Sequence, residues 1–196
     1  MILDYGLGNL ASVDKAFRYL GIEASVSNEI GNAEKLVIPG VGAFGAAMAQ
    51  LWPIRQQIQE FAARGNLILG ICLGQQLLFD WSEEYGHHDG LGLISGSVRY
   101  LQPADGLKIP HMGWNGLNVL QENHALTAGI KPGSQVYFVH SLVTECADKK
   151  NIVATSNHGQ EFAAIVAKGN VWGCQFHPEK SGVVGLEILR AFALTK

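Results

Sequence analysis

The segment Gly70-Ile71-Cys72-Leu73-Gly74 sets a cysteine between two glycines at the end of an uncharged run, Leu67 to Ile71. That run is short, branched and apolar, as a strand buried on both faces should be, and Leu73, Leu77, Phe79 and Trp81 continue with roughly helical spacing. Cys72 is therefore predicted to stand on a strand-to-helix corner. Gly-x-Cys-x-Gly is the sulfur counterpart of the Gly-x-Ser-x-Gly nucleophile elbow, in which small neighbours let the chain turn tightly and leave the nucleophile clear of the backbone. A thiol at a helix start also meets N–H groups and a dipole that favour the thiolate. A cysteine taken alone is more often a small buried hydrophobe, but that reading leaves the paired glycines unexplained.

A base for such a thiol is offered near the other end of the chain, in Val171-Trp172-Gly173-Cys174-Gln175-Phe176-His177-Pro178-Glu179-Lys180. The β-rich run to Phe176 reads as a strand, and proline biases the residue before it toward extended backbone, so His177 and Glu179 are both expected to be extended and to face one side. Direct contact between imidazole and carboxylate then requires a local bend at Pro178. Cysteine, histidine and a carboxylate form the set that activates a thiol for acyl transfer: the imidazole keeps the sulfur ionised and protonates the leaving amine, and the carboxylate fixes the tautomer. Six other histidines compete for the role. His87 and His88 fall in a polar loop and are expected to be solvated, while His111, His140 and His158 lie close to predicted strands, where a structural role stands equally beside that of base. None of the six is expected to have a carboxylate two residues on along an extended run. A third element, Leu36-Val37-Ile38-Pro39-Gly40-Val41-Gly42-Ala43-Phe44, is a buried-strand signal running into a glycine-rich turn. Peptides beside glycine can aim an N–H into a cavity, so the N–H of Leu73 and one near Val41 are the candidate donors to an oxyanion.

Together these motifs resemble the class I (triad) glutamine amidotransferases. Asp4-Tyr5-Gly6-Leu7-Gly8-Asn9-Leu10, Pro39-Gly40-Val41-Gly42, Pro110-His111-Met112-Gly113-Trp114-Asn115, Tyr137-Phe138-Val139-His140-Ser141 and His177-Pro178-Glu179-Lys180-Ser181-Gly182 are similar to the branch that serves as glutaminase subunits of imidazole glycerol phosphate synthase. The likeness runs from Asp4 to the C-terminus in unbroken order, with two departures: few apolar residues precede Asp4, so the first strand is expected to be short, and Leu142 stands where the family often carries an aromatic residue. The resemblance implies a glutaminase in which Cys72, His177 and Glu179 are catalytic, Val41 and Leu73 serve the oxyanion, and Gly42, Gln76 and Ser141 hold L-glutamine. No metal or cofactor is implied. Ammonia in water is mostly ammonium, so the product must pass directly to a second protein. The resemblance identifies that protein as the (β/α)8 cyclase subunit, joined in a heterodimer through Gly8, Asn9, Met112, Trp114, Tyr137 and Lys180. Trp114 and Tyr137 are aromatics of the kind that anchor interfaces.

The positioning elements follow from periodicity. Val13, Ala16, Phe17 and Leu20 trace a helical face closed by Gly21, Ile22, Ala24 and Val26 alternate as a strand, and Phe44, Met48, Leu51, Ile54, Ile58 and Phe61 mark further helical faces. Strands joined directly to helices imply an α/β fold with a mostly parallel sheet covered on both faces, whose ligands sit beyond the carboxyl ends of the strands. Between about Ser97 and Ile165 the strands crowd together at 117–120, 136–142, 152–156 and 162–166, which suggests added antiparallel hairpins. A last helix is expected around 185–192.

With 196 residues and 47% hydrophobic content the chain supports one sizeable core, so a single domain over residues 1–196 is expected. A net charge of −3 with scattered Lys and Arg offers no field for nucleic acid. Three widely spaced cysteines argue against a disulfide framework or a thiolate zinc cluster, and no leader or membrane span is read, so a cytoplasmic location is expected. Three rivals stand beside this reading. Gly6-Leu7-Gly8-Asn9-Leu10-Ala11 has the spacing of a dinucleotide fingerprint; a noncatalytic binding module of the same fold would keep the architecture alone; and the glutaminases of pyridoxal phosphate or anthranilate synthesis share the triad, though Pro110 to Asn115 disfavours them.

Overall fold

The computed structural model describes residues 1–102 and 106–195. Its first half runs β1 (Ile2–Leu3), α1 (Leu10–Tyr19), β2 (Val26–Ser27), β3 (Lys35–Gly40), α2 (Phe44–Leu51), α3 (Arg55–Ala63), β4 (Leu67–Cys72) and α4 (Leu73–Leu77). Asn9 caps α1 by accepting from the Ser12 N–H at 3.3 Å, and Val13, Ala16 and Phe17 form its buried face, as their spacing predicts. The alternation of Ile22, Ala24 and Val26 yields only a two-residue strand. Its neighbour β1 is itself two residues long and has no further ladder to offer.

The second half runs β5 (Phe79–Ser82), β6 (His88–Asp89), β7 (Ile94–Tyr100), β8 (His111–Gly116), β9 (Asn118–Val119), β10 (Gln135–His140), β11 (Leu142–Cys146), β12 (Ile152–Asn157), β13 (Glu161–Lys168), β14 (Val171–Cys174) and α5 (Gly182–Leu194). One expectation fails here: α4 stops at Leu77, and Phe79 and Trp81 belong to a strand. Phe79 pairs with Ile94 and Trp81 with Ser97, a long-range ladder that overrides local helical spacing.

The main sheet has the order β2-β1-β3-β4-β14-β13-β12-β9. Its first five strands are parallel, and the antiparallel pairs β14/β13, β13/β12 and β12/β9 extend it. The expected hairpins appear partly in this extension and partly as two smaller sheets, β10-β8 and β11-β7-β5-β6. Alternate residues of the central strands feed two cores. Val37, Leu69 and Ile71 pack with α1 and α5 through Phe17, Ile188 and Phe192. Leu36, Ile38 and Ile68 pack with α2 and α3 through Phe44, Met48, Ile58 and Phe61. Every residue of β4 is buried, which accounts for its lack of charge and places its carboxyl end in the middle of the sheet edge. Among the described residues, no helix is long and apolar enough to cross a membrane.

Candidate active site

Cys72 ends β4 with φ 55° and ψ −111°, a region that L-residues rarely occupy and that costs about 1–3 kcal/mol. Both flanking glycines are required by packing. A Cβ at Gly70 would overlap the Gly74 carbonyl, and a Cβ at Gly74 would overlap the Ile38 carbonyl of β3. The corner thus folds back on its own strand and on the neighbouring one, which leaves no room for side chains on either side of the cysteine. The helix that follows has only five residues, so the expected dipole reduces to the N–H groups of a single turn.

His177 follows β14, the strand paired in parallel with β4, and this register carries it to the same sheet edge as Cys72. The expected extended run past His177 is not observed. Pro178–Lys180 forms a 3-10 turn, a geometry that proline favours in its first position, and the turn supplies the bend that brings Glu179 Oε1 to 2.9 Å from His177 Nδ1. Both side chains are buried, at 3% and 1% exposure. The backbone of His177 is clamped: its N–H donates to the Tyr137 carbonyl at 2.9 Å, and its carbonyl accepts from the Ser181 hydroxyl at 2.6 Å. Ser181 Oγ in turn accepts from the Tyr137 N–H at 2.9 Å, a positioning role that motif reading did not assign.

Burial alone would pull the His177 pKa down, yet the Cys72 sulfur and the Glu179 carboxylate outweigh it and raise the value to about 10. Nε2 of His177 makes no hydrogen bond of ordinary length among the described residues, so this face of the ring is free toward the sulfur. One other histidine does have a carboxylate two residues on: His87 lies 3.3 Å from Asp89, contrary to expectation. Both are largely exposed, and the His87 ring stacks on Trp81.

Cys72 and His177 share a cavity of about 340 Å³ whose walls include Val41, Gly42, Leu73, Gln76 and Ser141, the residues singled out for the oxyanion and the substrate. Gly42 has φ +98°, which permits the turn after β3. Gln76 is buried, and its Nε2 donates to the Leu142 carbonyl at 3.2 Å and to Gln175 Oε1 at 2.9 Å. Neither bond uses its Oε1. Glu84, Pro110, Val139, His140 and Leu142 complete the wall; sequence reading gave none of them a place at the substrate. Glu84 reads as one of two acidic residues in a polar stretch, but its carboxylate accepts from the Phe44 N–H at 2.5 Å and caps α2 from a distance, since Ala43 has no capping side chain. A wider depression of about 600 Å³ is lined by Asp80, Glu145, Cys146 and Lys149. Among the described residues no histidine borders it, and burial pushes the Cys146 thiol up to about 11, so it shows no activated nucleophile. Cys174 is likewise pushed up by burial.

His140 belongs to a polar chain that leaves the cavity. Its Nδ1–H donates to the Leu142 carbonyl at 2.8 Å, so its Nε2 must accept from His111 Nδ1 at 3.1 Å, and His111 Nε2 faces the Asn115 amide nitrogen at 3.3 Å. His158 stacks on His111 at 4.1 Å. The residues suggested for partner contact lie away from the cavity. Met112 and Trp114 alternate along β8 and are exposed at 64% and 56%; Tyr137 is registered opposite Trp114 and half-buried against it. Lys180 is exposed on the 3-10 turn beside Glu179. Gly6 and Gly8 have φ +84° and +120°, backbone that favours glycine at both positions, and a Cβ on Gly8 would also lie 3.4 Å from Pro39 of β3, while one on Gly6 would meet open space. Asn9 is engaged as the cap of α1.

Residues 1–195 match the family model described as "Glutamine amidotransferase class-I". A protein of Methanosarcina barkeri called imidazole glycerol phosphate synthase subunit HisH is 50% identical over 197 residues, spanning 98% of this chain and 96% of its own. One of the same name from Sulfurimonas denitrificans is 45% identical over 199 residues, spanning 97% and 95%. Among solved structures, a glutamine amidotransferase superposes with a TM-score of 0.75 at 19% identity, covering 98% of each chain, and PurLQS from Thermotoga maritima with 0.74 at 23%, covering 97% of this chain and 95% of that one. These last two establish the fold.

Proposed function

Because this chain belongs to the class I glutamine amidotransferase family, we propose that it hydrolyses L-glutamine as the glutaminase subunit of an imidazole glycerol phosphate synthase, in histidine biosynthesis. The observation that carries the chemistry is the shared cavity of Cys72 and His177, with Glu179 buried 2.9 Å behind the imidazole. Cys72 Sγ attacks the side-chain amide carbon of glutamine, and the carbonyl oxygen takes up negative charge opposite the Leu73 N–H and an N–H of the Val41–Gly42 turn. His177 Nε2–H passes its proton to the amide nitrogen, the C–N bond breaks, and ammonia leaves a thioester on Cys72. Water then adds to the thioester as His177 takes its proton; the C–S bond breaks, glutamate leaves and the thiolate returns. Glu179 holds Nδ1–H so that Nε2 faces the sulfur, and it stabilises the imidazolium that forms. Gln76, Gly42 and Ser141 hold the substrate.

The whole chain acts as one domain, in the cytoplasm. Its ammonia is delivered to a cyclase partner, bound in a heterodimer through the face that carries Gly8, Asn9, Met112, Trp114, Tyr137 and Lys180. The exposed Met112 and Trp114 on a two-stranded sheet, with Tyr137 backbone groups bonded to His177 and Ser181, support a docking face that lies directly behind the base. The test is Cys72→Ala, assayed together with a cyclase. Glutamine-dependent synthesis should vanish while synthesis from added ammonium salt persists, and retained use of glutamine would remove Cys72 from the mechanism.

A further inference from the structure

Gln175 is fully buried between Cys174 and Phe176, and its Nε2 lies 3.9 Å from Cys72 Sγ. A carboxamide is nearly symmetric in shape, so the end it turns to a neighbour must be dictated by a group with a fixed role. The Leu142 carbonyl is such a group, because it can only accept. It lies 3.2 Å from Gln76 Nε2, and the same nitrogen lies 2.9 Å from Gln175 Oε1. Gln76 must therefore show its NH2 to both, Gln175 must answer with its oxygen, and its own nitrogen is left to face the sulfur. The sense of the chain runs from one backbone carbonyl, through two carboxamides, to the nucleophile.

The sulfur has a competing neighbour. In the thiol form Cys72 S–H donates to the Val139 carbonyl, 3.8 Å away. Once the proton is gone the same carbonyl faces a thiolate, acceptor to acceptor, and repels it. An N–H donor to sulfur acts in the opposite sense and strengthens as charge accumulates. We propose that Gln175 is a catalytic donor of the glutaminase reaction, its Nε2–H stabilising the Cys72 thiolate against the Val139 carbonyl and its direction set by Gln76 and Leu142. This rests on the reading of Cys72 as nucleophile.

The other titratable groups around the sulfur are His177 with Glu179 behind it, Tyr5 and Cys174, with His140 and Glu84 on the wall of the shared cavity, where the Glu84 carboxylate is engaged by the Phe44 N–H. Tyr5 donates its hydroxyl to the Pro39 carbonyl at 2.7 Å and is held protonated by burial and by the nearby sulfur. Burial keeps the Cys174 proton in place as well.

The probe is iodoacetamide, with alkylation of Cys72 followed by mass spectrometry across pH in the full chain. Gln175→Met keeps the length and removes the donor; the pH of half-maximal alkylation should rise by about one unit, kcat should fall about tenfold and KM for glutamine should change less. Gln175→Glu places a like charge beside the sulfur and should raise the midpoint further. In the unaltered chain, the Gln175 side-chain amide proton resonances should move downfield with the same midpoint as alkylation, a readout that does not depend on either variant folding. An unchanged midpoint in a folded variant, or amide resonances that do not move, would overturn the proposal. Neither result bears on the nucleophile itself, which is tested separately by Cys72→Ala.

Discussion

Acid should weaken this protein through two buried histidines. His140 and His111 are 6% and 4% exposed, and each is locked as a neutral tautomer by a chain that starts at the Leu142 carbonyl. Burial lowers the His140 pKa to about 3 and the His111 pKa to about 4, helped by repulsion from His158 at His111 and from His111, His158 and His177 at His140. Unfolded, both titrate near 6.5, so between that value and the folded ones the unfolded chain binds more protons. The stability they confer is therefore complete above about 6.5 and drains away as pH falls. Each contributes a slope of about 1.4 kcal/mol per pH unit over that window. For His140 the gap from 6.5 to about 3 amounts to about 5 kcal/mol, on the scale of a whole domain's stability, so the chain should unfold before this ring is protonated. His140→Gln retains one donor and one acceptor without a titrating ring. Urea denaturation at a series of pH values between about 7 and about 4.5 should give a slope shallower than the parent's by about 1.4 kcal/mol per unit, at equal m-value. Parallel slopes, or a His140 ring resonance titrating near its unfolded value in the folded chain, would refute the reasoning.

Glu179→Gln removes the charge from a buried 2.9 Å hydrogen bond, so kcat for glutamine hydrolysis should fall by about 10- to 100-fold with KM little altered, and steady-state kinetics showing a change of less than about twofold would count against Glu179 as the orienting group. Gly74→Ala forces a methyl onto the Ile38 carbonyl and should lower stability by about 1–3 kcal/mol, read as a drop in urea midpoint; an unchanged midpoint would mean that the corner has room to spare. Trp114→Ala should leave stability intact because the ring is 56% exposed, yet weaken binding to the cyclase by about 30-fold in calorimetric titration, and an unaltered Kd would move the docking face elsewhere.

The strand-to-helix corner at Cys72 was legible because its cause is local. Glycines at Gly70 and Gly74 mark where backbone meets backbone, and the uncharged run before Cys72 marks a strand covered on both sides. The parallel α/β core was legible for the same reason, since each strand and helix carries its own period. What failed depends on partners distant in sequence. Phe79 and Trp81 become a strand through pairing with β7, the strand over Ile22 to Val26 is cut short by the length of β1, and Glu84 caps a helix 40 residues away. Glu179 does meet His177, but through a tighter turn than an extended chain allows, because proline opens a 3-10 turn there. Gln175 did leave a trace. A carboxamide in an apolar run beside a buried strand must find partners, and asking where its hydrogen bonds go would have pointed to the cavity.

The Leu142 carbonyl explains why the cavity wall and the exposed strand are parts of one construction. It accepts from Gln76, which fixes the carboxamide facing the sulfur, and from His140, which fixes the tautomer of His111 and so the orientation required of Asn115 on β8. Asn115 Nδ2 also donates to the Asn157 carbonyl at 2.7 Å, and its Oδ1 accepts from the Gly116 N–H at 2.8 Å. Every group in this path has its donor or acceptor sense set by the one before it, and two members are buried rings that would be costly to charge or to leave unpaired. A slow reversal of any single amide is thereby opposed by all the others. The strand that bears Met112 and Trp114 is consequently held in fixed relation to the wall that bears Gln76, even though one faces out and the other faces the cavity.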